Sequence, residues 1–139
     1  MTWIDRKKLS RIVFNNPEAI GKLNKIMHPI IREEIEKRIT QFKEQRKVAA
    51  VIEAILLVEA GWMDMVDELW LVTASQSLTL ERLKIRRLSE SEALRRLASQ
   101  TPPERLTTQA KVVIKNDSTL EDLRTNVEKL WKERIIKGG

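Results

Sequence analysis

A chain of 139 residues, 42% hydrophobic and 33% charged, has the composition of one soluble globular domain, neither disordered nor membrane-embedded. The absence of cysteine excludes disulfides, zinc-thiolate sites and a thiol nucleophile. With 26 Lys and Arg against 20 Asp and Glu the formal charge is +6, which admits an anionic partner and equally describes an ordinary solvated surface with both signs interleaved.

The chain opens on helices. Residues 5–13 place Leu9, Ile12 and Val13 on one face, and Asn15-Asn16-Pro17-Glu18 then offers a cap followed by proline at the first helical position. A second helix turns Ile20, Leu23 and Met27 inward. His28-Pro29 is expected to end it, because proline disfavours helical geometry in the residue before it. A third helix runs from about Pro29 to Gln45, with Ile31, Ile35, Ile39 and Phe42 on one stripe.

The period then changes. Val48–Val58 is a nearly continuous apolar run with β-branched enrichment, the pattern of a strand buried on both faces of a parallel sheet, and its one charge before the closing Glu59-Ala60-Gly61 is Glu53. After Trp62–Glu68 come a second strand, Leu69–Thr73, and later a third, Val112–Ile114. Helices are expected over Leu78–Arg87, Ser89–Ala98, Pro103–Gln109 and Ser118 to about Ile135. Capping boxes at Ser89/Glu92, Thr101/Glu104 and Ser118/Glu121 support three of the starts. The last helix sets Leu120, Leu123, Val127, Leu130 and Trp131 inward. Strands separated by helices imply βαβ units and a parallel sheet.

The four glycines, Gly21, Gly61, Gly138 and Gly139, allow neither G-x-x-x-x-G-K-[ST] nor G-x-G-x-x-G to be written in this sequence. The first residues show no apolar leader and no run approaches the roughly 18 residues of a membrane span, so a cytoplasmic protein is expected.

Three constellations could carry chemistry. Glu53, at the carboxyl end of the first strand, stands where parallel sheets bind ligands, as a general base or a magnesium ligand through water; a cap or an Arg partner is the competing role. His28, one turn before Arg32, could donate to a phosphate or sugar oxygen while Arg32 clamps the anion, or simply cap a helix junction. Arg82, Lys84, Arg86 and Arg87, with Arg95 and Arg96 beyond the Leu88-Ser89 bend, could form a phosphate clamp or a solvated basic face. Nucleic-acid binding is disfavoured: aromatic residues are 4% of the chain and do not alternate with the basic ones.

The order of these motifs resembles one family. Ile4-Asp-Arg-Lys-Lys-Leu9, Ile12-Val-Phe-Asn15, Leu23-Asn24 and His28-Pro-Ile-Ile-Arg32 are similar to the substrate-binding helical segment of the dephospho-CoA kinases. Glu53-Ala-Ile-Leu-Leu-Val-Glu-Ala-Gly61 looks like that family's D-x-P-L-L-F-E-x-G strand and turn. Glu81-Arg-Leu83, Arg86, Leu88-Ser89, Glu92-Ala93, Arg96 and Gln100-Thr-Pro102 resemble its lid, and Ala110–Asn116 with Thr119-Leu-Glu121 its closing strand and final helix.

The resemblance implies an α/β fold: a helix-rich remnant of a P-loop kinase, with three αβα layers and a short parallel sheet. It divides the chain into a helical CoA-substrate segment (1–46), core strands and helices (47–74 and 110–139) and lid-like helices (75–109). It implies ATP-dependent phosphorylation, with magnesium, of the ribose 3′-hydroxyl of dephospho-CoA. Glu53 would stand beside the magnesium and the reacting hydroxyl, and His28 and Arg32 near the substrate. Arg86, Arg87 and Arg96 would reach the phosphates, and Asn116 would lie near the adenine.

The sequence departs from the family at Ile55 for proline, Arg87-Leu88 for Asp-Gly, and Lys111 and Lys115 for aspartates, and its lid looks one residue short. Family members place a strand, the phosphate loop and a second strand before the motifs with which this chain opens, so the 139 residues are expected to be incomplete, or inactive on their own. Two readings stay open: the kinase, or a non-catalytic CoA- or nucleotide-binding or protein-interaction module derived from it. The absent strand would lie between Val48–Ala54 and Leu69–Thr73, and these strands are expected to re-pair directly or to pair two copies into a homodimer.

Overall fold

The computed structural model describes residues 3–13 and 16–138, the Arg96 side chain excepted. Phe14 and Asn15, part of the expected cap and of one family motif, lie outside the described residues. The architecture is helix-rich α/β, built as two compact units, 1–62 and 63–139.

The first unit begins with α1 (Arg6–Val13), whose start is held by Asp5: its Oδ1 accepts the N–H groups of Lys7 and Lys8, each at 3.0 Å. Helix α2 (Pro17–Glu44) is capped by Asn16, whose Oδ1 accepts the Ala19 N–H at 3.1 Å, with Pro17 at the first helical position. The expected break at His28-Pro29 does not occur; one helix of 28 residues runs through Pro29. Pro29 removes a single N–H from the ladder. On either side, ion pairs four residues apart (Glu18–Lys22 at 2.8 Å, Glu33–Lys37 at 2.7 Å, Glu34–Arg38 at 2.8 Å) support continuous helical geometry. Helix α2 ends with Arg46 at φ 54°, the Lys47 N–H bonded to the Phe42 carbonyl at 2.9 Å and the Arg46 N–H to the Lys43 carbonyl at 2.9 Å, a Schellman closure.

The strand expected over Val48–Val58 is absent. Residues 49–54 are irregular and 55–61 form a helical turn. A strand needs a neighbour to take its N–H and C=O groups, and no described segment pairs with this one. Val48, Val51 and Ile55 are accordingly 72%, 83% and 74% exposed. The turn closes on Gly61 (φ 72°), with the Trp62 N–H on the Leu57 carbonyl at 3.0 Å, and this brings together Leu57 and Trp62, both buried.

In the second unit a short helical turn, Met63–Met65, leads to β1 (Trp70–Thr73). Then come α3 (Gln76–Ile85), α4 (Glu90–Ala98), α5 (Pro103–Thr107), β2 (Val112–Lys115) and α6 (Leu120–Trp131), with a wider helical turn over Lys132–Ile136. The strands pair parallel in the register Trp70–Val112 to Thr73–Lys115. They form the whole described sheet; the expected direct pairing of Val48–Ala54 with Leu69–Thr73 is not made. Helix α6 packs on β2 and α5 on β1, while α3 packs on α4, with Ala93 and Ile114 buried.

Of the expected capping boxes, Ser89/Glu92 forms as read. Helix α5 instead starts from Pro102 without a side-chain cap, and the last box is shifted by one residue to Thr119/Asp122. The Asp122 carboxylate accepts from the Ser118 and Thr119 hydroxyls, which hold it below the usual carboxylate range. Leu120 is 72% exposed and Val127 37%, so these expected core positions face outward, whereas Leu123, Leu130 and Trp131 are half-buried.

Candidate functional site

In the first unit His28 and Arg32 share one face of α2, four residues apart. The His28 ring meets Trp62 edge-to-face, with centroids 5.5 Å apart at 66°. Trp62 is itself seated by the Gly61 turn, so the loop after the apolar run fixes the imidazole. Arg32 donates from Nε to Glu36 Oε1 at 2.8 Å, which directs the guanidinium along α2. Glu53 does not end a strand: it is exposed in the irregular stretch before the turn.

In the second unit the groups converge at the carboxyl ends of β1 and β2, the edge at which parallel sheets bind ligands. Asn116 follows β2, and its N–H donates to the Thr73 carbonyl at 2.7 Å. Its own carbonyl accepts Nη1 of Arg82 from the second turn of α3 at 3.0 Å. The next residue, Asp117, accepts the Ser75 N–H on Oδ1 at 2.7 Å, at the N-cap of α3. Two loops separated by 42 residues are thereby tied to each other.

From this edge α3 carries the basic residues outward. Arg86 is its C-cap and Arg87 takes φ 63° beyond it, with the Leu88 N–H on the Leu83 carbonyl at 3.2 Å and the Arg87 N–H on the Lys84 carbonyl at 2.9 Å. Arg86 and Arg87 are exposed. Lys84 lies 3.4 Å from Glu90 across the bend, and Arg95 donates to the Ser91 carbonyl at 3.3 Å. The six-residue cluster therefore divides: Arg82 holds a loop, Lys84 pairs across the bend, Arg95 bonds back within α4, and Arg86 and Arg87 lie exposed at the surface. Arg96 lies on α4, and its side chain is outside the described residues.

At the opposite end of β1, Arg134 binds Glu68 through Nε at 2.8 Å and Nη2 at 2.6 Å, and Trp70 Nε1 donates to the same carboxylate at 2.8 Å. The Arg134 bonds, then that of Trp70, bring the Glu68 carboxyl from 4.5 down to about 2. This clamp ties the C-terminal turn to the start of β1. Sequence reasoning missed it because 66 residues separate the partners. The partners of Asn116 are equally remote in sequence, although Arg82 stands out there by its charge.

Among the described residues no three acidic or histidine side chains cluster as metal ligands. No described helix is long and apolar enough to cross a membrane.

Comparison with known proteins converges on one family. The dephospho-CoA kinase family model matches residues 3–122. The chain is 40% identical over 133 residues to a dephospho-CoA kinase of Dehalococcoides mccartyi, covering 95% of the chain and 67% of that relative. A dephospho-CoA kinase of Geobacter sulfurreducens is also 40% identical over 133 residues, with 95% and 68% covered. The solved dephospho-CoA kinase from Campylobacter jejuni superposes with a TM-score of 0.71 at 31% identity, covering 100% of the chain and 69% of that structure. The chain thus spans about two thirds of the length of such relatives. A match across most of the chain in both sequence and fold places it in the dephospho-CoA kinase family.

Proposed function

We propose that these residues serve the ATP-dependent phosphorylation of the ribose 3′-hydroxyl of dephospho-CoA, in the cytoplasm, as the substrate-binding and lid parts of the kinase. The observation that carries the reading is the family match over residues 3–122. The second unit supports it: Asn116 is set at the carboxyl edge of the sheet and braced to α3, which leads to Arg86 and Arg87.

In this reading Asn116 lies against the adenine, and Arg86, Arg87 and Arg96 stabilise the charge that develops on the transferring phosphoryl group. His28 and Arg32 bind dephospho-CoA, with the imidazole oriented by Trp62. Glu53 assists at the magnesium and the attacking hydroxyl. When bound with the nucleotide, magnesium would supply charge neutralisation at the phosphates.

The glycine positions favour a second reading, a ligand-binding module without turnover. No glycine loop of these 139 residues can cradle the phosphates, so the largest catalytic contribution is not supplied by them. One experiment separates the two. The chain is incubated with ATP, magnesium and dephospho-CoA and assayed for CoA, with calorimetry on each ligand. Binding of dephospho-CoA without turnover is expected of these residues by themselves. CoA formation at an ordinary kinase rate overturns the module, and absence of binding by either ligand overturns both. The open edge of β1 belongs to the same reading, as a surface on which two copies associate.

A further inference from the structure

We infer that Asp117 is a positioning residue, which sets α3 and its basic end relative to Asn116. The inference rests on the proposed nucleotide role of Asn116 and names what holds that residue in place. Asn116 itself is fixed by two backbone bonds, from its N–H to Thr73 at 2.7 Å and from Arg82 to its carbonyl at 3.0 Å. Neither fixes where α3 begins. That falls to the Asp117 carboxylate, which takes the Ser75 N–H at 2.7 Å immediately before the helix. Ser75 in turn caps α3, accepting the Leu78 N–H on Oγ at 3.4 Å and the Thr79 hydroxyl on its carbonyl at 2.9 Å.

The three ties form a triangle. One corner is the loop after β1, the second is Arg82 on α3, and the third is the Asn116-Asp117 pair after β2. With two corners of α3 pinned to the same two-residue step, the helix keeps one orientation and its C-terminal Arg86 and Arg87 one reach. Removing the Asp117 contact leaves Arg82 as a single pivot. The carboxylate also lies at the N-terminus of a ten-residue helix, where negative charge is favourable, so a neutral acceptor retains the bond and loses only that smaller contribution.

The test uses the full chain with Asp117→Ala and Asp117→Asn. Titration with magnesium-ATP and, separately, dephospho-CoA is combined with hydrogen exchange at the amides of Ser75 and Leu78–Arg82. Asp117→Ala is expected to speed exchange at Ser75 and along α3 and to weaken ATP binding about fivefold, leaving dephospho-CoA affinity within about twofold. Asp117→Asn is expected to restore both exchange and ATP affinity to within about twofold. General loosening of the protein would lower both affinities and would not be rescued by Asn, and that result overturns the inference. So does faster exchange confined to Ser75, or unchanged ATP affinity in Asp117→Ala. If the unmodified chain binds no ATP, the nucleotide reading of Asn116 fails, and exchange decides the brace alone: a response spreading through α3 upholds it and one confined to Ser75 overturns it.

Discussion

Two side chains sit where the backbone asks for glycine. Arg46 (φ 54°) and Arg87 (φ 63°) both occupy the left-handed position that ends a helix. For a residue with a Cβ this conformation costs roughly 1–2 kcal/mol, partly offset by the greater flexibility that glycine gives the unfolded chain. Arg87→Gly is therefore expected to stabilise the second unit by about 0.5–1 kcal/mol, read as a raised urea midpoint with unchanged slope. The same change removes a charge proposed to face phosphate, so stability and ATP affinity should move in opposite directions. Gly61 is the converse case: at φ 72°, and with no atom within 4 Å of an added Cβ, Gly61→Ala carries strain without a clash. A loss of about 1 kcal/mol is expected, together with a looser Trp62 against His28.

Among the elements, what was legible followed from local chemistry. Asn16-Pro17 and Ser89/Glu92 announce helix starts because the groups that satisfy the first N–H donors lie within three residues. The Leu69–Thr73 and Val112–Ile114 strands could be read because their apolar runs are flanked by helices. The site was legible in part. Arg32, Arg86 and Asn116 lie on or beside the elements their motifs implied, whereas His28, expected at a helix junction, stands inside α2, and the contacts made by Trp62, Arg82 and Asp117 act over tertiary distances that no local pattern encodes.

Pro29 shows the limit from the other side: a strong local breaker is overridden by the helix on both its flanks. Pro29→Ala would restore the missing bond to the Lys25 carbonyl. It is expected to raise helix stability by about 1–3 kcal/mol, measured by thermal unfolding followed at 222 nm, since proline is disfavoured by roughly that amount in helix interiors. The Glu68–Arg134 clamp sets a pH dependence. Its carboxyl lies at about 2 in the folded chain and at 4.5 otherwise, so its contribution is complete above 4.5 and fades as pH falls towards 2. Unfolding midpoints followed from pH 6 to pH 2 should show that loss, and Glu68→Gln should flatten it.

At the scale of the whole molecule the decisive fact is how little is buried. Only Leu57, Trp62, Ala93 and Ile114 are buried hydrophobic residues among those described, while Val51 and Val72 stand 83% and 58% exposed. A parallel sheet is normally covered on both faces and flanked by further strands, because an unpaired strand edge beside exposed apolar residues templates association. Here β1 bonds to β2 on one side and to no described strand on the other. Val48–Ala54 presents the complementary problem, an apolar stretch of irregular backbone without a ladder partner. Two copies can satisfy both needs if the irregular stretch of one adds to the free edge of β1 in the other, an exchange that closes as a symmetric dimer. Light scattering across a concentration series is expected to show a mass rising from 16.2 kDa towards twice that value. Val51→Lys and Val72→Lys, both at exposed positions, should return the monomer mass with little change in helix content. A mass of 16.2 kDa at every concentration would refute the pairing and leave the β1 edge to another strand.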